Sequence, residues 1–557
     1  MKRIVNEFTS NTSGHGWGMV GCTNSKLGKL LWVAITLGST IAAIIWVLTI
    51  VQTYAKFETK DRVELRADED IVFQSVTVCL LYGFSPKKIR ATLTDPNSGY
   101  VLQNSFLKTI YTNHVVLTQM TNESILENIV GQARTNRGYY ENLGPSEISS
   151  LGHNIGSLIP YCMYQESKCT EADFRKLVHH EYKNCYTFNG EDVNLTKPII
   201  TEVGAQSGLS FTLYLDHKEG ARVTYEKSRA MTVASGARVI IHEKGTLPDP
   251  DSKGFDVEPG HLINVALSVD KRELMKPPWG ECADHTTLHS TDFKYTRNTC
   301  KRKCMEKMIE KQCGCWKDLL PVDLNDTRDD DLQACGKMNR EEWLKTTRAN
   351  VTVLKEDIAR IKCQNEKYSW SEVSEAVVGC ECKLNCTYLS YNIETSQSVW
   401  PMKGSELDFY CIGFSYDTGY NGSSIYDEFH DKIGVHCSDH FEFENVSKNW
   451  GDELRANFLR INVYFKDTET KYIIEEENFP LVSMISEIGG VLGLFIGVSL
   501  ITILEVFVLC SSIIYTLLGR KKMSNEIHEK ENMSVSKTNI EKLSDCKIAD
   551  YQNNQFK

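Results

Sequence analysis

The chain has 557 residues, 41% hydrophobic and 24% charged, enough for a folded core far larger than one small domain needs. Its net charge of −11 and pI near 5.8 argue against a nucleic-acid partner, because phosphate backbones call for a basic surface. The sequence holds no nucleophile elbow, phosphate loop or HExxH, so nothing marks an enzyme, and no C-x2-C clusters with histidine partners mark a metal or cofactor site.

Residues 1–29 are polar and carry Lys2, Arg3, Lys26 and Lys29. Leu30 to Val51 then form an uncharged run of 22 residues, long enough to cross roughly 30 Å of hydrocarbon as a helix. A cleaved signal peptide is the rival reading. Its apolar region is usually only about 7–15 residues, and no small-x-small cleavage site follows here. A second apolar run covers Leu481 to Leu518, interrupted only by Glu487 and Glu505, with Arg520, Lys521 and Lys522 after it. The positive flanks place both termini in the cytoplasm and residues 52–480 outside the cell, which makes a multi-pass plasma-membrane protein. The tail, 519–557, is polar and expected to be disordered.

Cysteines and sequons agree with that topology. Cys22, Cys510 and Cys546 fall in membrane or cytoplasmic parts, whereas the other 16 of 19 cysteines lie between Cys79 and Cys437. Seven Asn-x-Ser/Thr sequons, at Asn122, Asn194, Asn325, Asn350, Asn385, Asn421 and Asn445, share the same segment. An even cysteine count beside many sequons predicts an oxidised, glycosylated domain.

Within that domain, period-2 alternation predicts strands over Leu209–Asp216, Ala237–His242, Ile263–Asp270 and Leu459–Asp467, each with one buried face, as in an antiparallel sheet. Helical spacing appears over Asn122–Ala133, over Thr299–Cys313 with Cys300, Cys304, Met308 and Ile309 inward, and over Asn339–Lys362. The densest cysteine block, Cys282 to Cys386, has C-x3-C-x8-C-x-C followed by C-x-C-x3-C. Cysteines four apart share a helix face, so a returning strand could pair with them in rungs and stiffen a rod.

The second apolar run is too long for a simple anchor. Its 38 residues make about 57 Å of helix, so it must protrude, tilt or break. Glu487 and Glu505 are 18 residues apart, five turns and about 27 Å on a continuous helix, and so share one face. A membrane carboxylate usually faces water or protein interior. Two spans cannot enclose a path, so several copies must surround it, and the glutamates then form two acidic rings that attract cations. Gly489 and Gly493 suit close helix packing.

These features together resemble the degenerin, epithelial sodium channel and acid-sensing ion channel family. The likeness rests on His15–Gly16, "FQSVTVC" (Phe73–Cys79), "PPWGEC" (Pro277–Cys282), the cysteine ladder and "GGVLGLFIGVSLITILE" (Gly489–Glu505), and covers most of the chain. It implies an α+β membrane protein: a trimer of two-span subunits with a palm and β-ball of sheet, a helical finger and knuckle, and a disulfide-rich thumb at about 280–390. It implies the pairs Cys79–Cys185, Cys162–Cys169, Cys282–Cys386, Cys300–Cys382, Cys304–Cys380, Cys313–Cys363 and Cys315–Cys335. Cys411 and Cys437 lie outside that pattern and are expected to bridge each other.

By the same resemblance Gly497, Val498 and Ser499 form the narrow filter of a Na⁺ path that amiloride blocks. Glycine there would let the helix break and free carbonyls toward the ion. Ser486 falls where bulky side chains hold degenerin-type pores open. His15–Gly16 is either part of a disordered tail or a re-entrant segment below the filter. Trp279 is either a buried thumb aromatic or the thumb's contact with the first span, through Tyr54 or Phe57.

The stimulus is less marked. Acid-sensing members carry a histidine pair just after the first span, and "YAKFETKDRVELRADED" has none. The acidic outer domain and the Cys411–Cys437 segment suit a cationic ligand, so the chain resembles most the branch opened by FMRFamide-like neuropeptides. Proton, mechanical or constitutive opening, a hetero-trimeric assembly, an ATP-gated trimer and a two-span receptor without a pore are the alternatives.

Overall fold

The computed structural model describes residues 19, 23, 25–67, 71–85, 88, 136–190, 195, 199–200, 202–216, 234–285, 287–288, 292–324, 332–339, 351–367, 379–411, 443–499, 502–504, 506–511 and 513–514. The predicted helix Asn122–Ala133, His15, Gly16, Glu505, Cys437 and the sequons other than Asn385 and Asn445 lie outside them. The chain divides into two compact units. One comprises Met1–Lys60, Pro278–Gly280 and Glu476–Lys557; the other comprises Asp61–Pro277 and Glu281–Glu475.

Among the described residues the strands are β1 (Thr59–Ala67), β2 (Ser75–Leu80), β3 (Tyr161–Tyr164), β4 (Ser167–Lys168), β5 (Phe174–His179), β6 (Lys183–Phe188), β7 (Leu209–Tyr214), β8 (Ala237–His242), β9 (Phe255–Val257), β10 (His261–Glu273), β11 (Thr387–Val399) and β12 (Phe458–Glu477). The helices are α1 (Lys26–Ala55), α2 (Asn136–Leu143), α3 (Pro145–Leu151), α4 (Ile155–Leu158), α5 (Arg297–Cys313), α6 (Val351–Lys367), α7 (Glu406–Tyr410), α8 (Phe443–Asn457) and α9 (Leu481–Ile496).

The larger unit holds two sheets. One runs β11-β10-β12-β7-β3-β4, with β1 also paired to β12; the other runs β5-β6-β2-β8-β9. All four predicted strands are present. Ile263, Val265, Leu267 and Val269 of β10 point inward and alternate with half-buried neighbours. The antiparallel expectation is corrected at the centre of the larger sheet, where β10 and β12 run parallel with Ile263 opposite Ile461, Val265 opposite Val463 and Leu267 opposite Phe465. Apolar residues therefore meet at every second position of the pair. The register then jumps: Leu267 faces Phe465 but Val269 faces Thr470, so β12 carries three extra residues as a bulge. β12 also continues to Glu477, ten residues past its predicted end at Asp467 and four before the start of α9 at Leu481.

One-sided burial fails for β7 and β8. Thr212 and Tyr214, on the face expected to be wet, are 2% and 0% exposed. β7 lies between β12 and β3, and Tyr214 packs on Phe458 at 5.1 Å. Phe73, just before β2, is wholly buried and draws the two sheets together. Its ring meets Tyr164 of β3, Phe188 of β6 and Phe465 of β12 at 4.9, 6.0 and 6.2 Å.

Among the described residues seven disulfides close, and they are the pairs that the resemblance implied. Cys79 and Cys185 are directly opposed across β2 and β6. In the ladder, Cys300 and Cys304 are one helical turn apart on α5, about 6 Å of rise, while Cys382 and Cys380 are two extended residues apart, about 6.6 Å. Matching rises let consecutive rungs close. The returning segment 379–386 is irregular rather than a regular strand. Cys411 is also disulfide-bonded, to a partner outside the described residues.

α5 begins with Thr296, whose hydroxyl accepts from the Thr299 N–H at 3.2 Å, and ends at Gly314 in the left-handed region. Of its predicted inward residues only Ile309 is fully buried; Cys300, Cys304 and Met308 are half-buried. Glu306 takes the inner face instead. Its carboxylate accepts from the Leu319 and Leu320 N–H groups at 2.7 and 3.3 Å and pairs with Lys303 at 2.9 Å. Periodicity could not foresee a buried carboxylate paired with backbone donors from a following loop.

Candidate pore segment and aromatic joint

In the smaller unit, α1 extends the predicted span of 30–51 by about a turn at each end. It is the one helix among the described residues long and apolar enough to cross a membrane. Four threonines interrupt its apolar surface without leaving a polar group open. The Thr36 hydroxyl donates to the Trp32 carbonyl, and those of Thr40, Thr49 and Thr53 donate to the carbonyls four residues earlier at 2.6, 3.0 and 3.0 Å. Leu30, Leu31, Ile44 and Trp46 are more than half exposed, an apolar surface that water does not favour.

At the C-terminal end of α1 the chain turns at Phe57, whose φ of 50° lies in the left-handed region. That turn sets the Phe57 ring against Tyr54 at 5.5 Å. Trp279 meets both rings edge-on, Tyr54 at 5.7 Å and Phe57 at 5.1 Å. Of the two readings of Trp279, the structure thus gives contact with the end of α1, through both named partners. The Asn478 N–H also donates to the Glu58 carbonyl at 3.0 Å, which ties the end of α1 to the residues that lead into α9.

α9 packs on α1, with Trp46 and Phe495 at 5.9 Å. Its 16 residues rise about 24 Å, less than a bilayer core. Ser486 and Glu487 lie exposed on it. Among the described residues, nothing outside the helix's own turn comes within 4 Å of a Cβ built at Gly489, and the Val498 carbonyl, at 3.9 Å, nears one at Gly493. The packing role expected of these two glycines is not realised within one chain.

Gly497 behaves differently. It lies in the left-handed region, φ 67° and ψ 26°, its N–H donates to the Gly493 carbonyl at 3.0 Å, and the Val498 N–H reaches back to Leu492 at 3.2 Å. The five-to-one bond from a left-handed glycine is a helix stop. Ser499 is a helix start. Its hydroxyl accepts from the Thr502 N–H at 3.3 Å, its own N–H donates to the Thr502 hydroxyl at 3.2 Å, and its carbonyl accepts from Ile503 at 3.1 Å. Gly-x-Ser therefore punctuates the apolar segment, with a glycine that ends one helix and a serine that caps the next. Residues 497–499 are non-helical, and the last carbonyls of α9 lose their intrahelical donors.

The family model for the amiloride-sensitive sodium channel matches residues 8–509, a span that holds α1, the cysteine ladder, α9 and the Gly-x-Ser break. The chain belongs to this family of sodium channels. Among relatives, the FMRFamide-activated amiloride-sensitive sodium channel of Cornu aspersum is 22% identical over 90% of this chain and 82% of its own length. Acid-sensing ion channel 2 of Rattus norvegicus is 24% identical over 92% and 86%. Acid-sensing ion channel 1 of Gallus gallus is 22% identical over 97% and 91%.

The channel also holds a group that sequence reading passed over, His179, His180 and Asp251, whose potential donor atoms lie within 4.8 Å of one another. The adjacent histidines at the end of β5 were the available signal. The hydrogen bonds speak against a cation here. His179 Nδ1 accepts from the Glu181 and Tyr182 N–H groups at 3.2 and 3.4 Å, so its proton sits on Nε2. His180 Nε2 accepts from Arg137, so its proton sits on Nδ1. A metal-bound imidazole instead turns a bare nitrogen to the ion and donates with the other. Burial, together with the Arg137 guanidinium, holds both imidazoles well below the ordinary histidine range.

Proposed function

We propose that the protein is a ligand-gated, amiloride-blocked, sodium-selective channel of the plasma membrane, opened by an extracellular FMRFamide-like neuropeptide. The Gly-x-Ser helix break in the second apolar segment carries the pore part of this reading. α1 and α9 with the segment after residue 499 are the two membrane passes, both termini are cytoplasmic, and residues 52–480 are extracellular. One chain cannot enclose a path, so three copies, of this chain or of this chain with paralogues, surround one.

Gly497, Val498 and Ser499 line the narrowest part of that path. There the carbonyls released at the end of α9 replace part of the Na⁺ hydration shell. Glu487 and Glu505 form cation-attracting rings on either side of the break. Glu487 is exposed on α9. Ser486, one residue before it, is the position at which side-chain bulk keeps the helices apart. Trp279 transmits movement of the thumb to α1 through Tyr54 and Phe57, and His15–Gly16 lie on the cytoplasmic side of the filter. Cys411 bridges Cys437.

The peptide part rests on the Cornu aspersum relative, which aligns along nearly the whole chain. The test is two-electrode voltage clamp of oocytes that express the full chain. FMRFamide is expected to evoke an inward Na⁺ current that amiloride blocks. A current evoked by acid alone moves the chain to the proton-gated reading. No cation current with any stimulus, despite surface expression, refutes the homomeric channel.

A further inference from the structure

The inner side of the disulfide ladder carries a cavity that the channel reading leaves unused. It measures about 390 Å³, within the range of small-molecule sites, roughly 300–1,000 Å³. Two rungs, Cys300–Cys382 and Cys304–Cys380, form part of its wall. Leu288, 3% exposed, and the ring of Tyr295 add apolar surface. His285 lies against Tyr295 with ring centroids 4.2 Å apart, and its Nε2 is buried without a hydrogen-bond partner. The Tyr295 hydroxyl is already committed, because it donates to the Lys383 carbonyl at 2.7 Å.

Charge decides the class of occupant. Lys303 and Lys307, one turn apart on α5, both face the cavity, against one carboxylate among the described residues, Glu381. Lys303 is shared with Glu306. Lys307 and Glu381 are exposed and have no ion pair among the described residues. A cation would meet two ammonium groups and one carboxylate. A small inorganic anion would leave the Leu288, Tyr295 and disulfide walls wet. A molecule with an apolar body and one anionic head satisfies both sides: its body displaces water from the apolar wall, and its head takes Lys307 and the unpartnered His285 nitrogen.

We propose that this cavity binds a small amphiphilic organic anion, a carboxylate or sulfonate carried on an apolar ring or short chain. The site lies on the thumb, between α5 and the returning segment 379–386, and is independent of the peptide reading. The same charges make it a poor site for a cationic peptide.

The test uses the full-length protein in lipid nanodiscs and fluorine NMR of 4-fluorobenzenesulfonate, with the neutral 4-fluorobenzenesulfonamide as control. Saturable broadening of the sulfonate resonance is expected. Lys307→Glu should weaken binding about five-fold and Glu381→Lys strengthen it about five-fold, the upper end for exposed charge pairs. Both side chains are on the surface, so both variants should fold, and the opposite signs separate a charge effect from damage. The sulfonamide should bind at least about five-fold more weakly. Absence of saturable binding to the unmodified protein, equal affinity across the two variants, or equal affinity for the sulfonamide overturns the proposal.

Discussion

Three glycines spaced by four, Gly489, Gly493 and Gly497, look alike in the sequence but differ in backbone, and this gives a sharp prediction for Gly497→Ala. At φ 67° and ψ 26° an alanine Cβ meets the following carbonyl oxygen, which costs about 1–2 kcal/mol per residue. If three copies line the path, the total is about 3–6 kcal/mol, which favours a rearranged filter over the native one. The chain can relieve the strain by carrying α9 on through residue 497, and this removes the free carbonyls. Gly489 lies inside α9 with open space around its Cβ position, so Gly489→Ala gains about 0.5–1 kcal/mol of helix propensity within the chain. The assay is voltage clamp with surface labelling, comparing maximal Na⁺ current and the Na⁺/K⁺ permeability ratio. Gly497→Ala should lose current or selectivity at normal surface density, and Gly489→Ala should keep both. Equal damage from the two variants would refute the reasoning, because it would place the requirement in contacts between copies rather than in the backbone of Gly497.

Other outcomes follow from the same geometry. Ser486→Trp should give current that persists after the stimulus is withdrawn, and current that decays as in the unmodified channel would remove Ser486 from the gate. Trp279→Ala loses two edge-on ring pairs, about 1–3 kcal/mol in all, and should shift the stimulus–response curve while unitary conductance is unchanged; a changed conductance would put Trp279 in the permeation path. Phe73→Ala should destabilise the larger unit by about 3–5 kcal/mol and cut surface expression, measured by biotinylation; unchanged expression and melting temperature would deny Phe73 its place between the sheets. Burial lowers His242 to about 4 from its ordinary 6.5, so its contribution to stability is complete above about pH 6.5 and fades as pH falls toward 4. The loss reaches roughly 3 kcal/mol, and His242→Gln should flatten the fall in melting temperature between pH 7.5 and 4.5; an equally steep fall would assign the acid sensitivity elsewhere.

What the amino-acid sequence determined by itself was periodicity and repertoire. Leu30 to Val51 was legible as one long apolar helix, because 22 uncharged residues without proline have few other arrangements. The four alternating segments had to be strands, because the side-chain period of two is set by the pleat. Gly497 and Ser499 were visible as a place to break a helix that was too long, since glycine and serine are the residues that stop and start one.

Tertiary structure decided what local pattern cannot encode. Whether β10 meets β12 parallel or antiparallel depends on which strands become neighbours, not on the alternation within either. β7 is buried on both faces because Tyr214, on the face expected to be wet, packs on Phe458, a contact that its own alternation cannot specify. Glu306 turned inward because the Leu319 and Leu320 N–H groups awaited a carboxylate there, a pairing that only the tertiary fold creates. Trp279 acquired its contacts in the same way. More than 220 residues separate it from Tyr54 and Phe57, and only the fold brings the three rings together.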